Sequence, residues 1–483
     1  MQSSVISSRH WESETLRRAC TDILRKRTGI TNANLRFKLK WHHRSSARRY
    51  SDTPPDPTVQ PATEEEVALS KALDALARRV AEEVDKRQSP LDWLLELRDR
   101  LLGLRVIWIE HSNEDDAYVI FETLNSRGKD LEVVDLLKNH LLNRLRGTGN
   151  SAADTSRTKW DKMRNELEAS DTRRRVDPNR FILHWWLSQE DYVAERKLFP
   201  EGVKKKIKSK AQARTHLDSL VRDAPLYRAV IEPTSRIWPM EEIPARRSLE
   251  ALAVFGIVQP APLLLSIMRA RTDSTKLGAA QLIKTLQVVE RFHFQHTIVS
   301  QLRSSGGVSE MYAKAARELH AAGSDQQARA DVLKEIRGKL IARRPDREQF
   351  ILSFEERFFF TNEHTRDSKL VRYVLEAFLR EASPATATND LAIEHIMPQS
   401  ELRRGAAFET VASLGNLLLV NQALNEKLGS KAFAEKKRIL ADEGSSYDIG
   451  GVLDVEEWTG AQVVMRTRLL AERAYDQIWK LPL

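Results

Sequence analysis

Apolar residues recur at helical spacing through most of this chain, and strand-like alternation is confined to a few short stretches. Near the start, Leu16, Cys20, Ile23 and Leu24 mark an amphipathic helix over residues 13–27, and LRFKLKW, 35–41, alternates like a strand. The Pro-rich run SDTPPDPTVQP reads as a loop. Thr63 with Glu66 then forms a capping box, opening a helix to about Arg87 with Val67, Leu69, Leu73, Leu76 and Val80 roughly on one face. Ser89-Pro90 begins another helix at Leu91. LRVIWIEH, 104–111, is the best strand candidate, being short, β-branched and bounded by turn residues. Asn113 can cap a helix over EDDAYVIFETLN that stops at Ser126-Arg127-Gly128, and a further helix spans about Glu132 to Arg146.

From about 155 to 385 the helical period repeats with little strand signal, and no repeat of fixed length is found. HWW at 184–186 and RFFF at 357–360 fit core aromatics better than base-stacking platforms. The compositional style changes around SPATATND, 383–390, which reads as a linker into a last unit. There LAIEHI reads as a short strand closed by Pro398, and LGNLLLV, 414–420, as a second strand opened by a Gly-Asn turn. Residues 423–440 read as a helical segment interrupted near Gly429. The predicted class is mainly α with small β elements.

A chain of 483 residues is too long for one ordinary core and implies two to four domains. With 41% apolar and 30% charged residues it has the make-up of a globular protein with real cores. No apolar run is long enough for a membrane helix, and the N-terminus lacks the apolar segment of a secretion signal. A single cysteine, Cys20, excludes an internal disulfide and any multi-cysteine zinc site. The expected location is therefore cytoplasmic, with no membrane partner. The net charge of +9 favours a polyanionic partner. Basic residues cluster at 36–50 with Phe37, Trp41 and Tyr50 interleaved, at Arg173 to Arg175, and at Lys204, Lys205, Lys206, Lys208 and Lys210. Such clusters can neutralise phosphates; they can equally be solvated faces.

The order strand, loop, strand, helix near the C-terminus carries Glu-His, then Gly-Asn, then Asn, which is the order of a ββα-metal, or HNH-type, nuclease site. Phosphodiester hydrolysis needs an activated water. A neutral imidazole can take the proton from it near physiological pH, which makes His395 the candidate general base. A hard divalent ion, Mg²⁺ or Mn²⁺, needs oxygen ligands, for which Glu394 and the side-chain carbonyl of Asn425 are candidates. Neighbouring strand residues point to opposite faces, so Glu394 and His395 converge only where the strand ends or bulges. Asn416 is expected to orient His395, and Lys427 and Lys431 to lie near the phosphate path. By spacing alone, a common dipeptide and ordinary helix-capping asparagines account for the same residues.

The stretch IEHIMPQS…SLGNLLLVNQALNEKLGSKAFAEKK resembles the HNH-like DUF1524 family. The matching residues are Glu394, His395, Pro398 and Gln399, then Leu414 to Leu417, Leu424, Asn425 and Lys427, and finally Ser430, Lys431, Phe433 and Lys436. The ending, EEWTGAQVVMRTRLLAERAYDQIW, is also similar, with Trp458 and Trp479 expected as packing residues. FETLNSRGKDLEVVDLLKNHLL, 121–142, resembles a conserved block of the DUF262 family through Asn125, Arg127, Gly128, Asp135 and Lys138, among others. Read from the residues, it is a helix, a tight turn permitted by glycine, and a helix. Arg127 and Lys129 can meet a phosphate there, or the turn is purely structural.

The two resemblances together imply a GmrSD-like type IV restriction enzyme. They divide the chain into a partial DUF262-like domain at 1–150, a helical connecting and DNA-contact region at 151–385, and a nuclease domain at 386–483. The Asp-Gly-Gln-Gln-Arg motif, that family's main nucleotide site, does not occur in this sequence, and neither does a Walker A sequence. One expectation is a protein partner supplying the N-terminal half of DUF262, with any NTP acting through it; the alternatives are a start placed too late or a degenerate domain. The function implied is a metal-dependent DNA endonuclease of a bacterial anti-phage system, acting on modified DNA. The alternative is a non-catalytic DNA-binding or assembly subunit that docks an NTP-hydrolysing partner.

Overall fold

The computed structural model describes residues 64–104, 132–145, 150–169, 176–273, 277–302, 307–384 and 390–481. The chain forms two compact units, 1–117 and 118–483. In the first, the described part is a pair of helices, Glu64–Asp85 and Pro90–Leu102. Pro90 stands at the start of its helix, where a missing N–H leaves no intrahelical bond unmade. The expected helices at 13–27 and after Asn113 and the strands at 35–41 and 104–111 lie outside the described residues. So do the basic segment 36–50, Arg173 to Arg175, and Asn125, Arg127, Gly128 and Lys129.

The second unit is mainly helical, with one two-stranded sheet among the described residues. Local side-chain caps start several of its helices. Asp177 accepts from the Asn179 N–H ahead of Pro178–Leu187, and Ser209 with Gln212 forms a full capping box on Lys210–Ile231. Two hydrophobic cores organise the helical middle, one around Trp160, Phe181, Trp185 and Tyr227, the other around Phe292, Tyr312 and Leu333. Trp185 and Trp186 of the HWW run are buried, as expected of core aromatics. No helix among the described residues is long and apolar enough to cross a membrane.

A third core joins the middle to the C-terminal end. It takes Phe294 from the middle and Phe350, Phe354 and Phe378 from helices α1 (Arg347–Glu355) and α2 (Ser368–Ala382). From beyond residue 386 it takes Leu417, Leu419, Leu470 and Trp479. Trp479 stacks on Phe294 at 4.0 Å between ring centroids, and its indole N–H donates to the Tyr373 hydroxyl at 2.7 Å. A fourth core lies on the other face of the sheet, around Ile396, Leu418, Val420, Leu440 and Trp458.

The sheet pairs β1 (Leu391–His395) antiparallel with β2 (Leu417–Asn421), His395 opposite Leu417 and Glu394 opposite Leu418. Because Leu417 and Leu419 face one core and Leu418 and Val420 the other, β2 is an unbroken apolar run, as a strand covered on both faces must be. Strand pairing starts later than the expected 414. Leu414–Asn416 is a 3₁₀ turn, for a steric and a hydrogen-bonding reason. A Cβ on Gly415 would fall 2.3 Å from the Val463 carbonyl oxygen of α5 (Gly460–Arg473). The buried Arg466 of that helix donates to the Gly415 and Leu417 carbonyls at 2.8 and 3.0 Å. After β2 come α3 (Gln422–Leu428) and α4 (Phe433–Glu443), separated at Gly429 as predicted.

Candidate active site

Strand alternation decides what each half of the Glu-His pair meets. His395 shares its face with Leu391 and Ile393, toward the third core, and the segment before α2 meets it there. Phe359 bridges to Ser413, and the Phe360 N–H donates to the Ala412 carbonyl at 2.8 Å. This brings the Phe360 carbonyl to 2.9 Å from His395 Nε2, with the Phe360 ring stacked on the imidazole at 5.9 Å. A carbonyl only accepts, so Nε2 carries the proton and Nδ1 keeps its lone pair. The Gln399 amide donates to Nδ1 at 3.2 Å and is itself held by the Asn362 N–H, 2.9 Å from its Oε1. The imidazole is thus fixed in one tautomer between the Phe360 carbonyl and the Gln399 amide. Burial pushes its pKa down to about 4, the Phe360 carbonyl opposing, so at neutral pH it is a free base.

Glu394 leaves the opposite face of β1, where α4 supplies Lys436. The buried ammonium pairs with Glu394 Oε1 and donates to the His395 carbonyl at 2.6 Å. Burial raises the Glu394 pKa and lowers that of Lys436, and their attraction works against both shifts. At the end of β1 the two faces meet: Glu394 and His395 both line one cleft of about 700 Å³, with Gln399 on the loop after β1 and Asn425 on α3. The sequence condition for convergence, a strand that stops at this point, is met, since β1 ends at His395.

The donors in this cleft fit a hard cation. The Asn425 side-chain carbonyl oxygen is buried with no hydrogen-bond partner, a costly state unless something accepts it as a ligand. Glu394 adds a carboxylate on the same cleft. No cluster of three or more His, Cys, Asp or Glu exists among the described residues.

Other expected residues stand elsewhere. The buried Asn416 does not touch the imidazole. Its carbonyl accepts from the Met397 N–H at 2.7 Å and the Trp458 indole at 3.0 Å, and its amide donates to the Met397 and Val411 carbonyls. It pins the loop that follows His395, and ring orientation falls to Phe360 and Gln399 instead. Trp458, expected only to pack, is part of that clamp. Lys427 pairs with Glu443 and Lys431 with Glu435, and neither lines the cleft. Asp135 and Lys138 lie on Val133–Leu145, whose buried face is Val134, Leu137, Leu141 and Leu145, and they do not line the cleft either. In the basic run, Lys206 pairs with Glu190 at 3.0 Å and Lys204 lies over the Phe199 ring. Three contributors escaped motif reasoning: the Phe360 carbonyl, Gln399 and Lys436. The last two stand inside the matched DUF1524 pattern, which was the available signal.

Against known families, the C-terminal domain of GmrSD restriction endonucleases matches residues 348–473, and their N-terminal domain matches residues 7–142. No curated protein matches the chain.

Proposed function

Because this chain belongs to the GmrSD family of restriction endonucleases, we propose that the cleft at the end of β1 is the active site of an HNH-type, metal-dependent DNA endonuclease. The observation that carries the reading is the unequal use of the His395 nitrogens. Nε2–H is committed to the Phe360 carbonyl, and Nδ1 is left basic in a cleft that also holds the unpartnered Asn425 oxygen. His395 Nδ1 takes the proton of the attacking water as its oxygen bonds to phosphorus and the bridging P–O bond breaks. Gln399, which donates to Nδ1 in the substrate-free chain, yields that position to the water. A Mg²⁺ or Mn²⁺ ion held by Glu394 and Asn425 would stabilise charge on the phosphate and the leaving oxygen. Asn416 positions, through the loop it pins, and does not touch the reacting atoms.

We also propose that the substrate is modified phage DNA, which the family resemblance supports, and that any NTP acts through a protein partner, since the Asp-Gly-Gln-Gln-Arg motif does not occur in this sequence. The test is cleavage of plain plasmid and modified phage DNA by the full chain. It is run with Mg²⁺ or Mn²⁺, with and without NTP and the polypeptide encoded upstream, beside His395→Ala. Loss of cleavage in the variant with DNA binding intact is expected, and retained cleavage removes His395 from the mechanism. One observation favours a second reading, a non-catalytic DNA-binding or assembly subunit. Lys436 already neutralises Glu394, so the site is balanced without added metal. Failure to cleave under every condition favours that reading.

A further inference from the structure

The two lysines that the motif places near the phosphate path are tied to glutamates away from the cleft. The opposite wall carries other cations. The first turns of α2 contribute Lys369 and Arg372 to the same cleft as His395 and Asn425. Lys369 is exposed and has no hydrogen-bond or ion-pair partner among the described residues. Arg372 meets Glu376 at 3.2 Å, a carboxylate shared with Arg380. Residues three apart on a helix stand side by side, about 5–6 Å between Cβ atoms. Successive phosphates on one DNA strand rise ~3.4 Å along the axis. Two neighbouring cations on one cleft wall therefore match one or two consecutive phosphates.

We propose that Lys369 and Arg372 form a phosphate-binding wall that grips the DNA backbone beside the scissile bond. This rests on the nuclease reading of the cleft, and it puts the grip on a helix N-terminal to the Glu-His motif. Lys369 is exposed and Arg372 half-buried, while Leu370, Val371 and Val374 anchor α2 in the third core.

The experiment is a salt titration of duplex DNA binding, read by fluorescence anisotropy, with the full chain carrying His395→Ala so that nothing is cut. Lys369→Ala and Arg372→Ala are compared with Lys427→Ala and Lys431→Ala in that background. Each phosphate contact removed lowers the slope of log K against log salt by ~0.9. The double Lys369→Ala/Arg372→Ala variant is expected to lose about 2 in slope, evenly across DNA sequences, and the Lys427/Lys431 pair almost nothing. An unchanged slope in the first double variant, or a loss confined to the second, overturns the proposal. Cleavage by the unmodified active site, measured alongside, separates two failures. A chain that cuts and binds DNA but keeps its slope loses only the phosphate wall. One that neither binds nor cuts loses the nuclease reading and the wall with it.

Discussion

Lys436→Met removes the charged partner of a buried carboxylate. The side chains of Lys436 and Glu394 are 1% and 9% exposed, so the water that would otherwise solvate Glu394 has little access. Breaking a buried pair from one side costs about 3–5 kcal/mol, because the remaining charge has no compensation. The His395 carbonyl loses its donor as well. At ~1.4 kcal/mol per decade, local opening should become about a hundred- to four-thousand-fold more frequent. Hydrogen exchange of the amides in β1 and α4, followed by mass spectrometry on the full chain, reads that opening directly. Glu394→Met/Lys436→Met should recover most of the protection, because an apolar pair of similar volume needs no compensation. The single-variant loss should also shrink as pH falls. Burial already raises the Glu394 pKa, and Lys436 is what holds it down. Without that ammonium the carboxyl titrates higher still, and below its new pKa it is neutral. If Lys436→Met exchanges within ~1 kcal/mol of the parent, or if the double variant is as loose as the single, the pair does not stabilise the site.

Gln399→Ala should slow cleavage by about 10- to 100-fold, because Gln399 Oε1 holds the Asn362 N–H and with it the segment whose Phe360 carbonyl orients the imidazole. Gln399→Glu, whose carboxylate still accepts from the Asn362 N–H, should recover part of the rate; steady-state rates on plasmid decide. Gly415→Ala forces a Cβ to within 2.3 Å of Thr467 Oγ1 and the Val463 carbonyl. It should cost at least about 1–3 kcal/mol in urea unfolding and misplace the Asn416 clamp. Acid should destabilise the helical middle through two buried imidazoles. Burial takes His184 from the ordinary 6.5 to about 4 and His293 to about 3. Both are neutral when folded, so between pH 6.5 and those values the unfolded chain binds more protons and stability falls as pH falls. At ~1.4 kcal/mol per pH unit the upper bounds are roughly 3 and 5 kcal/mol. Equal urea midpoints at pH 7 and pH 4.5 would count against both.

What the sequence determined by itself was local. Alternation and breakers are short-range physics, so β1 and the break at Gly429 were legible from neighbours alone. The Glu-His…Asn…Asn order was legible too, as the signature of one chemistry. The extent of the flanking homology was not. The C-terminal match begins at residue 348 and the N-terminal match at residue 7, both ahead of the motifs that carry the resemblance. Residues 348–385 show only plain helical periodicity, with no motif of their own, yet α1 and α2 pack under the sheet.

Only the tertiary structure decided who faces whom. Every residue has a carbonyl, so nothing in the letters marks Phe360 as the group that holds His395 from 35 positions away. Lys436 and Lys431 look alike in sequence, but one is buried against Glu394 while the other is half in solvent beside Glu435. Helix phase and the docking of α4 on the sheet make that difference. The same holds for Asn416, which the motif assigns to the imidazole and the fold gives to the loop after it. Residue types name the chemistry a site needs, whereas the packing of distant segments sets which atoms supply it.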